Sequence, residues 1–236
     1  MKEVLYKDLG RMGYLECWEK QRTMFEGMLQ RKRTGQVCDD VASPEQVGTA
    51  GVVYLVEHNP VYTLGKSGKD ENMLVSEAYL RSIGAEFFHI DRGGDVTFHG
   101  PGQIVGYPIL DLEKVGIGLR EYIDSIEEAI IGVCAEWGIE AGRVAGASGV
   151  WIEGDSPRAR KICAIGVRSS RYVTMHGFAL NVATDLRYFN HINPCGFVDR
   201  GVTSIEREVG HEVDFEQVKM QVVKHLSEKL KIEIYK

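Results

Sequence analysis

Phe87-Phe88-His89-Ile90 is followed by Arg92-Gly93-Gly94-Asp95-Val96-Thr97-Phe98-His99-Gly100-Pro101-Gly102-Gln103 and then by Ile104-Val105-Gly106-Tyr107. Two apolar, strand-like runs thus flank a loop that carries four glycines, a proline, an arginine and a histidine. Glycine lets a backbone turn tightly or approach a ligand closely because it has no Cβ to collide. A polar loop held between strands is where a scaffold places chemistry, but an ordinary long hairpin turn has the same composition. On residues alone the two readings are balanced, and the rest of the chain has to separate them.

Working outward, Gly51 to Glu57 reads as a buried strand. It leads into His58-Asn59-Pro60-Val61-Tyr62-Thr63-Leu64-Gly65, a second loop opened by an Asn-Pro turn. Strands are expected at 85–91, 103–110, 149–153, 161–168 and 172–182, the last two reversing at Ser169-Ser170-Arg171 as a hairpin. Helices are expected at 11–33, 76–82, 118–137 and from Asp214 to residue 231. The first shows Leu15, Trp18, Phe25 and Leu29 at helical spacing, interrupted by Arg22, and Gly35 ends it. The third is the clearest, with Leu119, Ile123, Ile126, Ile130, Val133 and Trp137 on one stripe. Asp214 and Gln217 resemble a capping box, and Phe215, Val218, Val222, Leu226 and Leu230 line the buried face of the last helix. Residues 34–50 read as a loop, and 185–193 as irregular chain or a short helical turn. Strands outnumber helices and join mostly through short connections. That predicts an α+β fold with a mixed or antiparallel sheet and packed helices, not a doubly wound parallel sheet. No linker divides the chain, so residues 1–236 are expected to form a single domain.

Of the 236 residues 44% are hydrophobic, enough for a sizeable core without staples. A formal net charge of −6 argues against nucleic-acid binding. No apolar run is long enough to span a bilayer, and Met1–Asp8 lacks the apolar centre of a signal peptide, so a cytoplasmic location is expected. The cysteines (Cys17, Cys38, Cys134, Cys163, Cys195) are odd in number and widely spread, which fits reduced thiols. No CxxC, HExxH or clustered Cys/His spacing points to a metal.

Cys195 differs from the other four cysteines. It sits in the turn Asn193-Pro194-Cys195-Gly196, where backbone N–H groups can point at a thiolate and lower its pKa. The residues alone favour a structural turn cysteine and leave a nucleophile open. Cys163, between Ile162 and Ala164 on a strand, and Cys134 on a helix read as packed core thiols. A thiol nucleophile needs a base or cation nearby, and His58, His99, His176, His191 and Lys161 are the candidates. Lys161 begins an apolar strand, where desolvation can depress an amine pKa. A surface lysine snorkelling from that strand is the commoner reading. Ala164-Ile165-Gly166 and His176-Gly177-Phe178 place small residues on adjacent strands, which suggests a groove for an apolar chain.

Five blocks taken together resemble one family: Glu57–Gly65, Arg92–Gln103, Lys161-Ile162-Cys163-Ala164-Ile165-Gly166, His176-Gly177-Phe178-Ala179-Leu180-Asn181 and Asn193–Gly196. The family is the lipoyl(octanoyl) transferases, the octanoyl-(acyl carrier protein)–protein octanoyltransferases of lipoate biosynthesis. The blocks occur in the family's order across residues 50–205, and Gly201-Val202-Thr203-Ser204-Ile205 is similar to the segment that follows the cysteine. The segments 34–48 and 154–160 are the least family-like.

The resemblance implies the fold of the biotin and lipoate protein ligases, which is class II aminoacyl-tRNA synthetase-like. It implies an acyltransferase in which Cys195 carries the acyl group and Lys161 activates it. It places Arg92, Gly93, Gly94, Asp95, Val96, Thr97, Phe98, His99, Ala164, Ile165, Gly166, His176, Gly177 and Phe178 around the acyl substrate. The implied donor is octanoyl-acyl carrier protein. The implied acceptors are lysines on lipoyl domains of 2-oxoacid dehydrogenase E2 subunits and on the glycine cleavage H protein. Neither a cofactor nor a metal is implied. Because both partners are expected to be acidic, Arg158, Arg160, Arg168 and Arg171 are candidates for a basic docking rim. Two rival functions stand beside this one: an ATP-dependent lipoate ligase, which needs no cysteine, and a non-catalytic acyl-binding module.

Overall fold

In the computed structural model, which describes residues 2–35, 49–193 and 201–235, the chain opens with a strand, β1 (Lys2–Met12), and a long helix, α1 (Tyr14–Thr34). Strands β2 (Gly51–His58) and β3 (Val61–Leu64) precede a 3-10 turn at Asp70–Asn72, helix α2 (Glu77–Ser82) and strand β4 (Glu86–His89). Next come β5 (Val96–His99), β6 (Gln103–Leu110), α3 (Leu112–Val115) and α4 (Leu119–Glu136). Strands β7 (Ala141–Val144), β8 (Ala147–Ile152), β9 (Arg160–Ser170) and β10 (Val173–Asn181) follow as successive antiparallel neighbours. A 3-10 segment, Leu186–His191, leads on; after it come β11 (Gly201–Val202), α5 (Ile205–Val209), α6 (Phe215–Leu230) and β12 (Ile232–Tyr235).

The main sheet has the order β12-β1-β2-β6-β10-β9-β8-β7, with β11 added along β9. It is mixed: β12 and β2 run parallel to β1, and β11 runs parallel to β9. The remaining pairs are antiparallel. Both faces of its centre are covered. Val53 and Leu55 of β2, Ile104 of β6 and Phe178 and Leu180 of β10 face a core completed by Ile126, Ile130 and Val133 of α4 and Val218, Val222 and Leu226 of α6. Val52, Tyr54 and Val56 face the other way, against Met24, Phe25 and Met28 of α1. Successive residues of a strand point to opposite faces, so a strand covered on both sides reads as an unbroken apolar run.

A second sheet, β4-β3-β5, packs with the 3-10 segment around Tyr62, Leu64, Val96, Phe98 and Ile192. Neither β3 nor β5 was expected; both fall in stretches read as loops. They are four residues long, too short for a periodic signal, and each exists because the other supplies its partner through Val61↔His99 to Leu64↔Val96. β1 was also unexpected, because it is rich in charged residues and buries only the adjacent pair Val4 and Leu5, with no period-2 pattern to read.

The helices agree with their predicted spans, and the first buries Phe25 and Leu29 as expected but turns Leu15 outward. Tyr14, Cys17, Gln21, Met24, Phe25, Met28 and Leu29 are buried, while Leu15 is 48% exposed. The last helix is capped as expected, Asp214 accepting from the N–H groups of Glu216 and Gln217. Cys17, Cys134 and Cys163 are buried free thiols, as packed core cysteines should be. Among the described residues no helix is long and apolar enough to cross a membrane.

Candidate active site

Ala164, Ile165 and Gly166 of β9 lie opposite Ala179, Phe178 and Gly177 of β10. Gly177 is glycine because a Cβ there would stand 2.2 Å from the backbone oxygen of Gly106 on β6. The small residues on β9 leave room on the other side. A cavity of about 440 Å³ is walled by Arg92–Thr97, by Ala164–Val167, and by Gly146, Ala147 and Ser148 at the β7–β8 tip. Trp151, Lys161, Phe189, Gly201 and Val202 complete its wall. A smaller cavity of about 40 Å³ shares Arg92, Thr97, Ala164, Ile165, Gly166 and Ala179 with the first, and is closed by Tyr14, His99, Tyr107, His176, Gly177 and Phe178.

The residues singled out from sequence therefore converge, with exceptions. Arg92, Gly93, Gly94, Asp95, Val96, Thr97, Ala164, Ile165 and Gly166 line the larger cavity; His99, His176, Gly177 and Phe178 line the smaller. Phe98 lines neither. It lies between Thr97 and His99 on β5, so it points to the opposite side, where its ring stacks on Tyr188 at 4.5 Å and meets Tyr62 at 5.1 Å. His58 lines neither cavity but stands behind the smaller one, hydrogen-bonded to Tyr107, while His191 lies elsewhere, its Nδ1 meeting the Tyr62 hydroxyl at 2.8 Å inside the small sheet's core. Cys195 and Pro194 lie outside the described residues. The chain on either side of them is held, Asn193 N–H to Asn72 O at 2.8 Å and Thr203 N–H to Lys161 O at 3.0 Å.

Arg92 shapes the loop. Its guanidinium donates to the carbonyls of Gly93 (2.7 Å), Asp95 (2.8 Å) and Thr63 (3.2 Å). Asp95 in turn accepts from Asn72 Nδ2 at 2.6 Å and from Val96 N–H at 2.7 Å. Lys161 presents its ammonium 3.2 Å from Ser148 O and 4.6 Å from the Trp151 ring centre.

His58, His99 and His176 are held neutral by burial. Met12 O can only accept, so His58 Nδ1 carries the proton at 3.1 Å, and Tyr107 donates its hydroxyl to Nε2 at 2.8 Å. Burial pushes His58 down to about 4. His99 Nδ1–H donates to Gln103 Oε1 at 2.9 Å, since Gln103 Nε2 is already donating to Phe98 O and Asn181 Oδ1. Burial, with His58 nearby, pushes His99 down to about 3. His176 has φ 62°, a left-handed backbone within a strand, and donates Nε2–H to Asp91 Oδ1 at 2.8 Å. Asp91 also pairs with Arg168, and the hydrogen bond from His176 leads in holding it below the usual carboxylate range. Burial outweighs Asp91 and lowers His176 too, so this contact is a neutral imidazole donating to a carboxylate, not an ion pair.

Sequence reading missed Gln103 as a bridge between the two sheets, as well as Asn181, Trp151 and Ser148. A polar side chain at the end of an otherwise buried strand is the available signal for Gln103 and Asn181, because such a group must find partners. The arginines expected to form a basic rim are engaged within the chain in three cases: Arg158 pairs with Glu153, Arg160 with Glu153 and Glu208, and Arg168 with Asp91.

The strand order and packed helices define an α+β domain of the fold shared with lipoate protein ligases. A bi-partite lipoate protein ligase from Thermoplasma acidophilum superposes with a TM-score of 0.67 at 15% identity, over 100% of this chain and 86% of that one. A biotin protein ligase from Aquifex aeolicus, solved with biotin and ATP, superposes at 0.50 with 13% identity, over 98% and 71%. The family described as lipoyl protein ligase A/B catalytic domain matches residues 18–227. An octanoyltransferase from Bacteroides fragilis is 54% identical over 90% of this chain and 91% of its own length. One from Bacteroides thetaiotaomicron is 53% identical over 94% and 92%. The chain belongs to the octanoyltransferases of the lipoyl protein ligase A/B catalytic-domain family.

Proposed function

We propose that residues 1–236 act as one catalytic domain that transfers an octanoyl group from octanoyl-acyl carrier protein to a lysine of a lipoyl domain, through a thioester on Cys195. The observation that carries this reading is Lys161. Its ammonium stands on the wall of an apolar cavity, and its carbonyl holds Thr203, eight residues after Cys195. The cavity falls within the size range of small-molecule sites, about 300–1,000 Å³. The 2-oxoacid dehydrogenase E2 subunits and the glycine cleavage H protein are the expected acceptors, and the cytoplasm the expected location.

In the first step Lys161, as the neutral amine, takes the Cys195 proton and becomes the ammonium, and the thiolate attacks the octanoyl thioester carbonyl. The carrier's thiolate leaves and is protonated from Lys161. In the second step the acceptor lysine's amine attacks the acyl-enzyme, an amide forms, and the proton shed by the amine returns to the Cys195 thiolate. One thioester replaces another and then becomes an amide, so the sequence runs downhill without ATP. Splitting the transfer in two predicts ping-pong kinetics. The apolar walls from Ala164 to Val167 hold the chain, and the Arg92 loop closes over it.

Intact mass after mixing with octanoyl-acyl carrier protein, without acceptor, tests this. A single hydroxylamine-labile octanoyl adduct, absent in Cys195→Ser, is expected. Transfer to acceptor without an adduct, or transfer that requires ATP and survives Cys195→Ala, would overturn it in favour of a ligase. Octanoyl binding with neither adduct nor transfer would leave a binding module.

A further inference from the structure

Glu127 is a carboxylate on α4 with only 5% of its surface exposed. A buried charge needs compensation. Its Oε2 accepts from Arg143 Nε of β7 at 2.7 Å, and its Oε1 accepts from the backbone N–H of Gly149 on β8 at 2.9 Å. Arg143 is fixed in turn, donating to Glu128 Oε1 at 2.6 Å and to Asp124 O at 2.8 Å. An ion pair between a helix and an edge strand thus closes on one peptide N–H.

That peptide belongs to the wall around Lys161. Gly149 has φ 116°, and a Cβ there would lie 2.5 Å from Cys163 O and 3.4 Å from Lys161 Cε, so its main chain packs against the lysine stem. The preceding carbonyl, Ser148 O, receives Lys161 Nζ, and Trp151, two residues on, offers its ring to the same ammonium. The β8–β9 register slips here. Val150 faces Cys163 but Trp151 faces Lys161, so a bulge sets the direction of the lysine. Ser148 O and the Trp151 ring, which both meet the ammonium, therefore sit on the strand segment that Glu127 anchors.

We propose that Glu127, held by Arg143, is a positioning residue for the transfer: by clamping the Gly149 N–H it fixes Ser148 O, and through it the side-chain nitrogen of Lys161. Glu127 touches no substrate. The role rests on the reading of Lys161 as the activator of Cys195.

Two rates test it in wild type, E127A, E127Q, K161A and the double variant E127A/K161A. One is single-turnover formation of the octanoyl adduct. The other is alkylation of the Cys195 peptide by iodoacetamide from about pH 6 to about pH 10, which reports thiolate formation without acyl substrate. K161A is expected to slow adduct formation by about 100-fold. E127A is expected to slow it by about 10- to 100-fold and to move the alkylation midpoint upward, because misplacement of about 1 Å costs that much. E127Q keeps a carbonyl acceptor for Gly149 and is expected to recover most of the rate. In the K161A background E127A is expected to add nothing, since a group acting through another has no effect once that other is gone. E127L, of closer volume, replaces E127A if that variant does not fold. An equal loss from E127A with and without Lys161, or an unmoved alkylation profile, overturns the positioning role alone. A K161A enzyme that keeps its rates overturns the Lys161 reading and this role with it.

Discussion

Tyr107 shows what a single buried hydroxyl does at the residue scale. Its ring and that of His58 are both buried, and the phenol is the donor that satisfies His58 Nε2. Tyr107→Phe removes that donor with little change in volume and leaves an unsatisfied buried acceptor, at a cost of about 1–3 kcal/mol. For a chain of this size each kcal/mol moves the melting temperature by about 2–4 °C. The expected outcome is a fall of roughly 2–12 °C in calorimetry, and a melting point equal to wild type would show the bond contributes nothing. The sequence named His58, His99 and His176 as candidate bases, but not that burial holds them neutral. Such lowering depends on what surrounds a ring, and neighbours such as Met12, Gln103 and Asp91 come from other parts of the chain.

At the scale of the element, β10 is the strand on which the cavity is built. It pairs with β6 on one side and β9 on the other, and all nine of its residues are buried. Its Gly177 is the point of closest approach to β6, with Gly106 O 2.2 Å and Pro108 Cδ 2.7 Å from any added Cβ. Backbone cannot step aside as a side chain can. Gly177→Ala must separate the two strands, and the expected loss is about 1–3 kcal/mol or more. Urea unfolding measures it; a midpoint equal to wild type would mean the sheet accommodates the methyl freely. The hairpin and the small residues along it were legible in sequence, because strong local alternation and a short turn specify them. β3 and β5 were not legible. Their pairing joins residues 61–64 to 96–99, and nothing within four residues announces a partner more than thirty positions away.

For the whole molecule the buried histidines set the response to acid. An unfolded histidine titrates near pH 6.5, whereas His58 and His99 have been pushed down to about 4 and about 3. Below about pH 6.5 the unfolded chain binds protons that the folded chain refuses. Stability is therefore full above that value and drains away as the pH falls toward the folded values. His176 is lowered by burial and acts in the same sense. Asp91, held low first by its hydrogen bond from His176, adds its own loss only below the ordinary carboxylate range, as the pH falls through its folded value. Between about pH 7.5 and about pH 5.5, His58 and His99 together are expected to cost about 2–3 kcal/mol in urea unfolding. Equal stability at the two values would show that these rings are not buried neutral.

The sequence by itself determined the α+β class, the helical spans, the core thiols Cys134 and Cys163 and the family, because each rests on local periodicity or on contiguous blocks of residues. It also named part of the cavity's lining, through the resemblance of contiguous blocks to the family; the residues alone left the glycine-rich loop undecided between a site and an ordinary turn. Only the tertiary structure decided that Phe98 turns away from the cavity, that the arginines beside the hairpin are paired, and that Glu127 on α4 reaches the strand that holds Lys161. Those facts depend on which face of a short strand is buried and on contacts between segments far apart in the chain. A linear pattern does not encode a partner's distance; packing does.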